Sequence, residues 1–313
     1  MKPEIAAAID SIDVTLNAGG MNTINIVLAF VMYGVALGIK PHIFVDVFKN
    51  PKSIILGVCC QLILLPLLTF LLALGMGYLG WISWTMALGM ILVASCPGGN
   101  ISNFISSLAK ANIELSVCLT AISTALAILM TPFNFWLYGN LYLKFAEVHG
   151  SEVPHLVIPL WDVFKTIFIL LGIPLALGIL TSRYLPRAAE RMRKPFQWVS
   201  IVFFLLMVVL SFVGNMGAFL KCIRFIFLVV LIHNLLALAI GYGMGTIFKV
   251  PRRDRRTLTI ETGIQNSGLG LVLLLGTSVF AGLPPHGGML VITAWWGIWH
   301  IISGLTVARL FKK

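Results

Sequence analysis

Long uncharged stretches separated by short basic links set the pattern of this chain. Residues 14–39 hold a first apolar stretch, strongly hydrophobic from near Ile24 onward. Residues 53–109 contain no Asp, Glu, Lys or Arg over 57 positions. About 20 apolar residues cross a bilayer, so this stretch has room for two helices, with a turn near Gly77–Gly80. A polar link from Lys110 to Glu114 leads to a fourth helix over about 115–139. Residues 157–182, 196–219 and 225–248 read as the fifth, sixth and seventh. Residues 257–308 carry one charge in 52 positions and fit two more, with the glycine- and proline-rich run Gly282–Gly288 as the turn between them. The pattern predicts an all-α polytopic membrane protein with nine transmembrane helices.

The basic links orient it. With the N-terminus outside, the inner segments collect 17 Lys and Arg and the outer ones 4, with Lys165 left inside the fifth span. Basic residues concentrate on the cytoplasmic side of membrane spans, so the chain reads N-out, C-in, and an extra or missing helix would scramble the split. The net charge of +11 therefore argues for topology and the lipid bilayer as partner, with no nucleic acid. The composition agrees: 59% hydrophobic and 11% charged, where a soluble domain carries about 25% charged residues. That excludes an ordinary soluble enzyme and equally a disordered chain. Cys59, Cys60, Cys96, Cys118 and Cys222 lie in or beside apolar runs without metal-ligand spacing and read as small packing residues. The N-terminal run MKPEIAAAID is too short for a signal-peptide core, so the first span inserts by itself.

Two spans are interrupted by polar, glycine-rich segments. In the third, Pro97, Gly98 and Gly99 precede Asn100, Ser102 and Asn103. Proline removes a backbone donor and disrupts the preceding turn; the freed groups must face protein or a watery cavity. In the eighth, Glu261, Gln265, Asn266 and Ser267 stand among Gly263, Gly268 and Gly270. Glu261 is the sole charge between Arg256 and Arg309. A carboxylate within a membrane helix costs about 2.5–3.5 kcal/mol and marks a functional site. A 168-residue shift superposes Gly75-Met76-Gly77 on Gly243-Met244-Gly245, and residues 95–100 on 263–268. The two broken spans run in opposite directions, the arrangement of an inverted-repeat transporter. Ser116, Thr120, Ser123 and Thr124 share one face of the fourth span. Asp162 and Lys165, three apart, read as a local pair, and His300 reads first as an interhelical hydrogen-bonding group.

This inventory of one carboxylate, amides, hydroxyls and freed carbonyls suits a hard, monovalent cation such as Na⁺. It offers neither the His and Cys cluster of a zinc or copper site nor a second acid or metal set for intramembrane catalysis, so the protein reads as a carrier and not an enzyme. The residues alone leave open a proton-coupled organic anion carrier, for example of a pantothenate-like substrate, with Glu261 as the relay. They also leave open a channel.

At SCPGGNISN and ETGIQNSG the chain resembles the bile acid:sodium symporter family, and the likeness extends from about Ile24 to Leu310. It includes Gln61 with Pro66 five residues on, Leu115-Ser116 with Thr120, and His300-x-Ile302-Ser303-Gly304. The resemblance implies a single transmembrane domain over 1–313, behind an outer N-terminal segment of residues 1–21. A panel would be built from spans near 22–40 and, in part, 157–219. A core would hold two crossing discontinuous helices near 82–109 and 255–283. It implies two Na⁺ ions, one at Ser102, Asn103, Ser116, Thr120 and Glu261, the other at Gln61, Glu261 and Gln265 with the backbone oxygens of Thr262 and Ile264. The helix breaks would lie at Pro97, Gly98, Gly99, Gly263 and Gly268. An organic anion, bile-acid-like or a smaller carboxylate or sulfonate, would contact Asn100, Asn266, Ser267 and His300, and alternating access in the plasma (inner) membrane would carry it. Ile301 stands where some relatives have Asn, which departs from the family pattern beside the histidine.

Overall fold

A computed structural model of the chain describes residues 3–10, 18–38, 51–149, 158–213, 216–275 and 286–312. Most of the turn expected at 282–288 lies outside these residues. The described part is nearly all helix. In chain order it contains α1 (Pro3–Asp10), α2 (Ala18–Ala36), α3 (Pro51–Tyr78), α4 (Trp84–Ser95), α5 (Ile101–Leu108) and α6 (Ile113–Val148). Then follow α7 (Leu160–Tyr184), α8 (Pro186–Val213), α9 (Met216–Ile247), α10 (Arg252–Gly263), α11 (Ser267–Leu275) and α12 (Gly287–Lys312). Five helices are by themselves long and apolar enough to cross a membrane: α3, α6, α7, residues 223–247 of α9, and α12.

Several boundaries differ from the hydropathy pattern, each for a local reason. Asn112 starts α6 by accepting the Leu115 amide at 3.1 Å, and the helix continues nine residues past its expected end at 139. Tyr142, Leu143 and Ala146 are buried there while Lys144 and Glu147 are exposed; an amphipathic extension carries charges that a search for uncharged runs rejects. α8 begins ten residues before 196 because the arginine-rich link is itself helical, opened by Pro186 at the position where a missing N–H costs nothing. α3 runs through Tyr78, so the turn falls at residues 79–83, where Gly80 takes φ +67°. The helix α1 was not expected from so short an apolar patch. It docks by burying Ile9, and Asp10 accepts from Ser83 Oγ at 2.9 Å and from the Thr85 hydroxyl. Burial raises the Asp10 carboxyl above its usual value, against the lowering effect of those two hydrogen bonds.

Burial divides the helices into two kinds. Every residue of α4 from Thr85 to Ser95 is buried, and α11 is buried along almost its whole length. Helices apolar all round belong inside protein, and so do the open ends of interrupted helices. α4 lies against α12, α6 and α3, and α11 against α12. The α4–α12 approach is close: a Cβ at Gly89 would stand 2.8 Å from the Met289 Cα. α9 packs on α10 equally tightly, a Cβ at Gly241 falling 2.7 Å from the Leu258 carbonyl carbon. Small residues let backbones approach where lipid supplies no hydrophobic drive. The outer helices instead expose large apolar side chains, among them Ile26, Leu71, Leu129 and Leu177, as a lipid-facing surface requires. α2, α7 and α8 pack on one another.

Candidate functional site

The two interrupted helices meet at their breaks. Between α4 and α5 the chain is non-helical over residues 96–100, and between α10 and α11 over 264–266. These segments pair antiparallel: Gly98 bridges Gln265, the Gly99 amide donates to Ile264 O at 2.9 Å, and the Asn266 amide donates to Pro97 O at 2.8 Å. Each break thereby satisfies part of what the other leaves open. Gly99 leaves room for this approach, since a Cβ there would sit 3.0 Å from Gln265 O. Of the glycines assigned to the breaks, Gly98 and Gly99 lie inside one, while Gly263 closes α10. Gly268 falls in the first turn of α11, so the second break is three residues long and narrower than the sequence suggested.

Glu261, on the last full turn of α10, is entirely buried. Its carboxylate accepts from Ser102 Oγ at 2.5 Å, from the Ser116 hydroxyl, and from Thr120 Oγ1 at 3.1 Å. Gln61 Nε2 donates to the Glu261 carbonyl at 2.8 Å and approaches Oε2 at 3.5 Å. Asn103 Oδ1 lies 2.9 Å from Ser116 Oγ and 3.5 Å from Thr120 Oγ1, an alternative acceptor for their single hydroxyl protons. Side chains from three helices, α3, α5 and α6, therefore converge on one carboxylate of α10. Among the described residues no cationic side chain pairs with it; all of its side-chain partners are neutral.

Two buried amide oxygens of the same region have no donor among the described residues. Gln61 Oε1 and Gln265 Oε1 are buried without a hydrogen-bond partner. Their amide orientations follow from the nitrogens, which donate to Glu261 O and, from Gln265, to Thr262 O at 2.8 Å. Gly98 stands next to this group: a Cβ on it would lie 2.9 Å from Gln61 Nε2 and 3.2 Å from Glu261 Oε2. A buried anion without a counter-charge, together with orphaned amide oxygens, is a costly arrangement that a cation relieves. The donor set is entirely oxygen, as a hard cation prefers. The backbone oxygens expected to join it, Thr262 O and Ile264 O, each accept one hydrogen bond, and a carbonyl keeps a second lone pair.

The residues assigned to an organic anion are more dispersed. Asn100 is exposed at the start of α5, and Asn266 is half-buried, its Oδ1 capping α11 by accepting the Leu269 amide at 3.1 Å. Ser267 Oγ and His300 Nδ1 are buried and have no hydrogen-bond partner among the described residues. No described contact joins His300 to Glu261. It sits on α12, one turn from Gly304, which faces Ile105 and Ile264.

Some polar residues that hold this geometry lay outside the expected site. Asn234 Nδ2 donates to Gly263 O at 2.8 Å, Thr131 Oγ1 to Ser95 O at 2.7 Å, and Asn134 Nδ2 to Leu62 O at 2.8 Å. A signal for the last two was present in the sequence. The polar face of Ser116, Ser123 and Thr124 continues at helical spacing to 131 and 134.

The model of the sodium bile acid symporter family matches residues 25–222. The chain is similar to the uncharacterized sodium-dependent transporter YocS of Bacillus subtilis, 30% identical over 93% of this chain and 83% of that protein. It is 29% identical to human sodium/bile acid cotransporter 4 over 84% of the chain, and 29% identical to the probable chloroplastic sodium/metabolite cotransporter BASS2 of rice over 79%. It spans 57% and 55% of the length of those two relatives. The paired breaks of the two interrupted helices, the family match over more than half the chain and the 30% identity to the Bacillus protein along 93% of this chain lead to one conclusion: this integral multi-pass membrane protein belongs to the sodium bile acid symporter family.

Proposed function

We propose that the protein is a sodium-coupled symporter that imports an organic anion by alternating access. The observation that carries the proposal is Glu261: a fully buried carboxylate, ringed by neutral hydroxyls and amides, in a region where two buried amide oxygens lack donors among the described residues. Ser102, Asn103, Ser116, Thr120 and Glu261 form one Na⁺ site. Gln61, Glu261, Gln265 and the backbone oxygens of Thr262 and Ile264 form the second. When an ion enters, each hydroxyl turns its lone pairs toward the cation, which replaces the hydroxyl protons as the partner of the carboxylate. The sodium-dependent names of the relatives support this coupling ion.

Two Na⁺ against one carboxylate leave a net positive site, and the N-termini of α5 and α11 open at the same crossover and add partial positive charge. Both features favour an anion at Asn100, Asn266, Ser267 and His300. Nine spans, N-out and C-in, place the arginine-rich start of α10 inside, in keeping with the distribution of basic residues. α2, α7 and α8 form the panel, which their mutual packing supports, and the remaining spans form the core that moves against it. Coupling then requires ions and anion to favour the same state, each raising the other's affinity.

The test is purified protein titrated with NaCl against KCl at constant ionic strength, read by thermal stability, followed by proteoliposome uptake over a panel of organic anions. Na⁺ is expected to raise the melting temperature and to drive uptake. Indifference to Na⁺, or uptake driven by a pH gradient without it, would overturn the proposal.

A further inference from the structure

Two carbonyls near the crossover lose their helical donors because of the features that build the site. Pro66 has no N–H, so the Leu62 carbonyl, four residues earlier, has no α-helical partner there. That proline stands two residues after the end of the π-helical segment Cys60–Leu64, which carries Gln61 to Glu261; single π turns inside α-helices cluster at functional positions. The Ser95 carbonyl would ordinarily receive the Gly99 amide, but that amide crosses to Ile264 O. Both orphans are collected by one helix. Asn134 Nδ2 takes Leu62 O at 2.8 Å and Thr131 Oγ1 takes Ser95 O at 2.7 Å. The two stand three residues apart on α6 and are buried, Thr131 completely and Asn134 to within 3% exposure. They occupy the face that, closer to the start of α6, presents Ser116 to Glu261 and Ser123 Oγ to the Gly98 amide at 3.4 Å.

We propose that Thr131 and Asn134 are positioning residues for the ions. They hold the Gln61 segment of α3 and the end of α4 at fixed places on α6, the helix that itself supplies Ser116 and Thr120. α6 is then the element through which the two ion sites sense each other. A change in one site that shifts α6 moves the ligands of the other through these two hydrogen bonds. Without the clamps, the freed carbonyls relax toward other donors and carry Gln61 and Gly98 with them. The inference deepens the sodium reading and rests on it.

The experiment is the NaCl-against-KCl stability titration, applied to wild type, Thr131→Val, Thr131→Ser, Asn134→Leu and Glu261→Gln. Thr131→Val preserves shape and removes only the donor; Thr131→Ser keeps the donor and serves as the conservative rescue. Loss of a partner that orients metal ligands typically costs about ten-fold or more in affinity. The half-saturating Na⁺ concentration is therefore expected to rise about ten-fold in Thr131→Val and Asn134→Leu, the Hill coefficient to fall toward one, and Thr131→Ser to match wild type. A lower melting temperature in KCl with an unchanged Na⁺ curve would reduce the clamps to structural hydrogen bonds and overturn the inference. Should Asn134→Leu not fold, Thr131→Val decides alone. A wild-type Na⁺ response that is lost in Glu261→Gln but intact in both clamp variants overturns the clamp and leaves the sodium reading standing. A wild type blind to Na⁺ overturns both.

Discussion

Two carboxylates on α10, seven residues apart, are held by the same neighbouring helices and do different things. Asp254, in the first turn, accepts from Ser53 Oγ of α3 at 2.7 Å and from Asn112 Nδ2, at the start of α6, at 2.8 Å. Glu261, two turns on, likewise takes hydrogen bonds from Gln61 of α3 and from Ser116 and Thr120 of α6, and adds one from Ser102 of α5. The connectivity is repeated; the surroundings are not. Asp254 is half-buried among Arg252, Arg253 and Arg255, at the edge of a cavity of about 420 Å³. Its hydrogen bonds tie three helix ends together. Glu261 is wholly buried and, among the described residues, its side-chain partners are all neutral, which is the ground for proposing a cation there. Depth separates the fastening from the proposed ion site.

The largest test of that contrast exchanges each acid for its amide. Glu261→Gln should abolish the Na⁺-dependent stability shift and sodium-driven uptake, at least 100-fold, with a KCl melting temperature at or above wild type because a membrane-buried charge of about 2.5–3.5 kcal/mol has gone. Asp254→Asn should leave the half-saturating Na⁺ concentration within about two-fold. Equal losses in both variants would show that depth does not divide the two networks. A subtler intrusion is Gly98→Ala, which adds a methyl 2.9 Å from Gln61 Nε2 and 3.2 Å from Glu261 Oε2. It should weaken Na⁺ binding about ten-fold while every ligand stays in place; unaltered Na⁺ binding would mean that Gly98 does not border the ion.

Smaller effects probe the fastening. Ser53→Ala should cost about 1 kcal/mol of stability, the usual worth of one such hydrogen bond, with no change in the Na⁺ midpoint. A shifted midpoint would join the two networks into one. The smallest concerns Asp10, whose carboxyl is raised by burial. A raised acid favours the docked α1 when protonated, so docking is firmest below the ordinary value of 3.8 and loosens as pH climbs through the interval up to the raised value. Hydrogen exchange at residues 3–10, corrected for intrinsic rates, should be slower at pH 4 than at pH 7. The opposite order would reverse the sign assigned to Asp10.

How much of this was legible in the sequence varies with the physics of each feature. The uncharged runs announced the membrane helices because a bilayer penalises every charge alike. Yet the same rule cut α6 short at 139, since Lys144 and Glu147 lie on a wet face while Tyr142 and Ala146 pack inward. Pro97 and the Glu261 segment marked the breaks by their chemistry. The break at Ile264–Asn266 is shorter than Gly263–Gly268, because Gly268 is already helical. Thr131 and Asn134 continue the polar face of α6, yet polar residues in an apolar helix usually bond their own backbone, which hides the ones that reach across to another helix.

Composition and spacing by themselves determined that this is a membrane protein with two interrupted spans and one exceptional carboxylate, since each follows from local cost: charge in lipid, proline in a helix, acid in an apolar run. Only the tertiary structure decided which neutral groups surround that carboxylate. The antiparallel pairing of Gly98 with Gln265 joins residues 167 apart, and hydrogen bonds to Glu261 reach 200 residues along the chain. Such partnerships arise from how buried backbones satisfy one another, which no local pattern encodes.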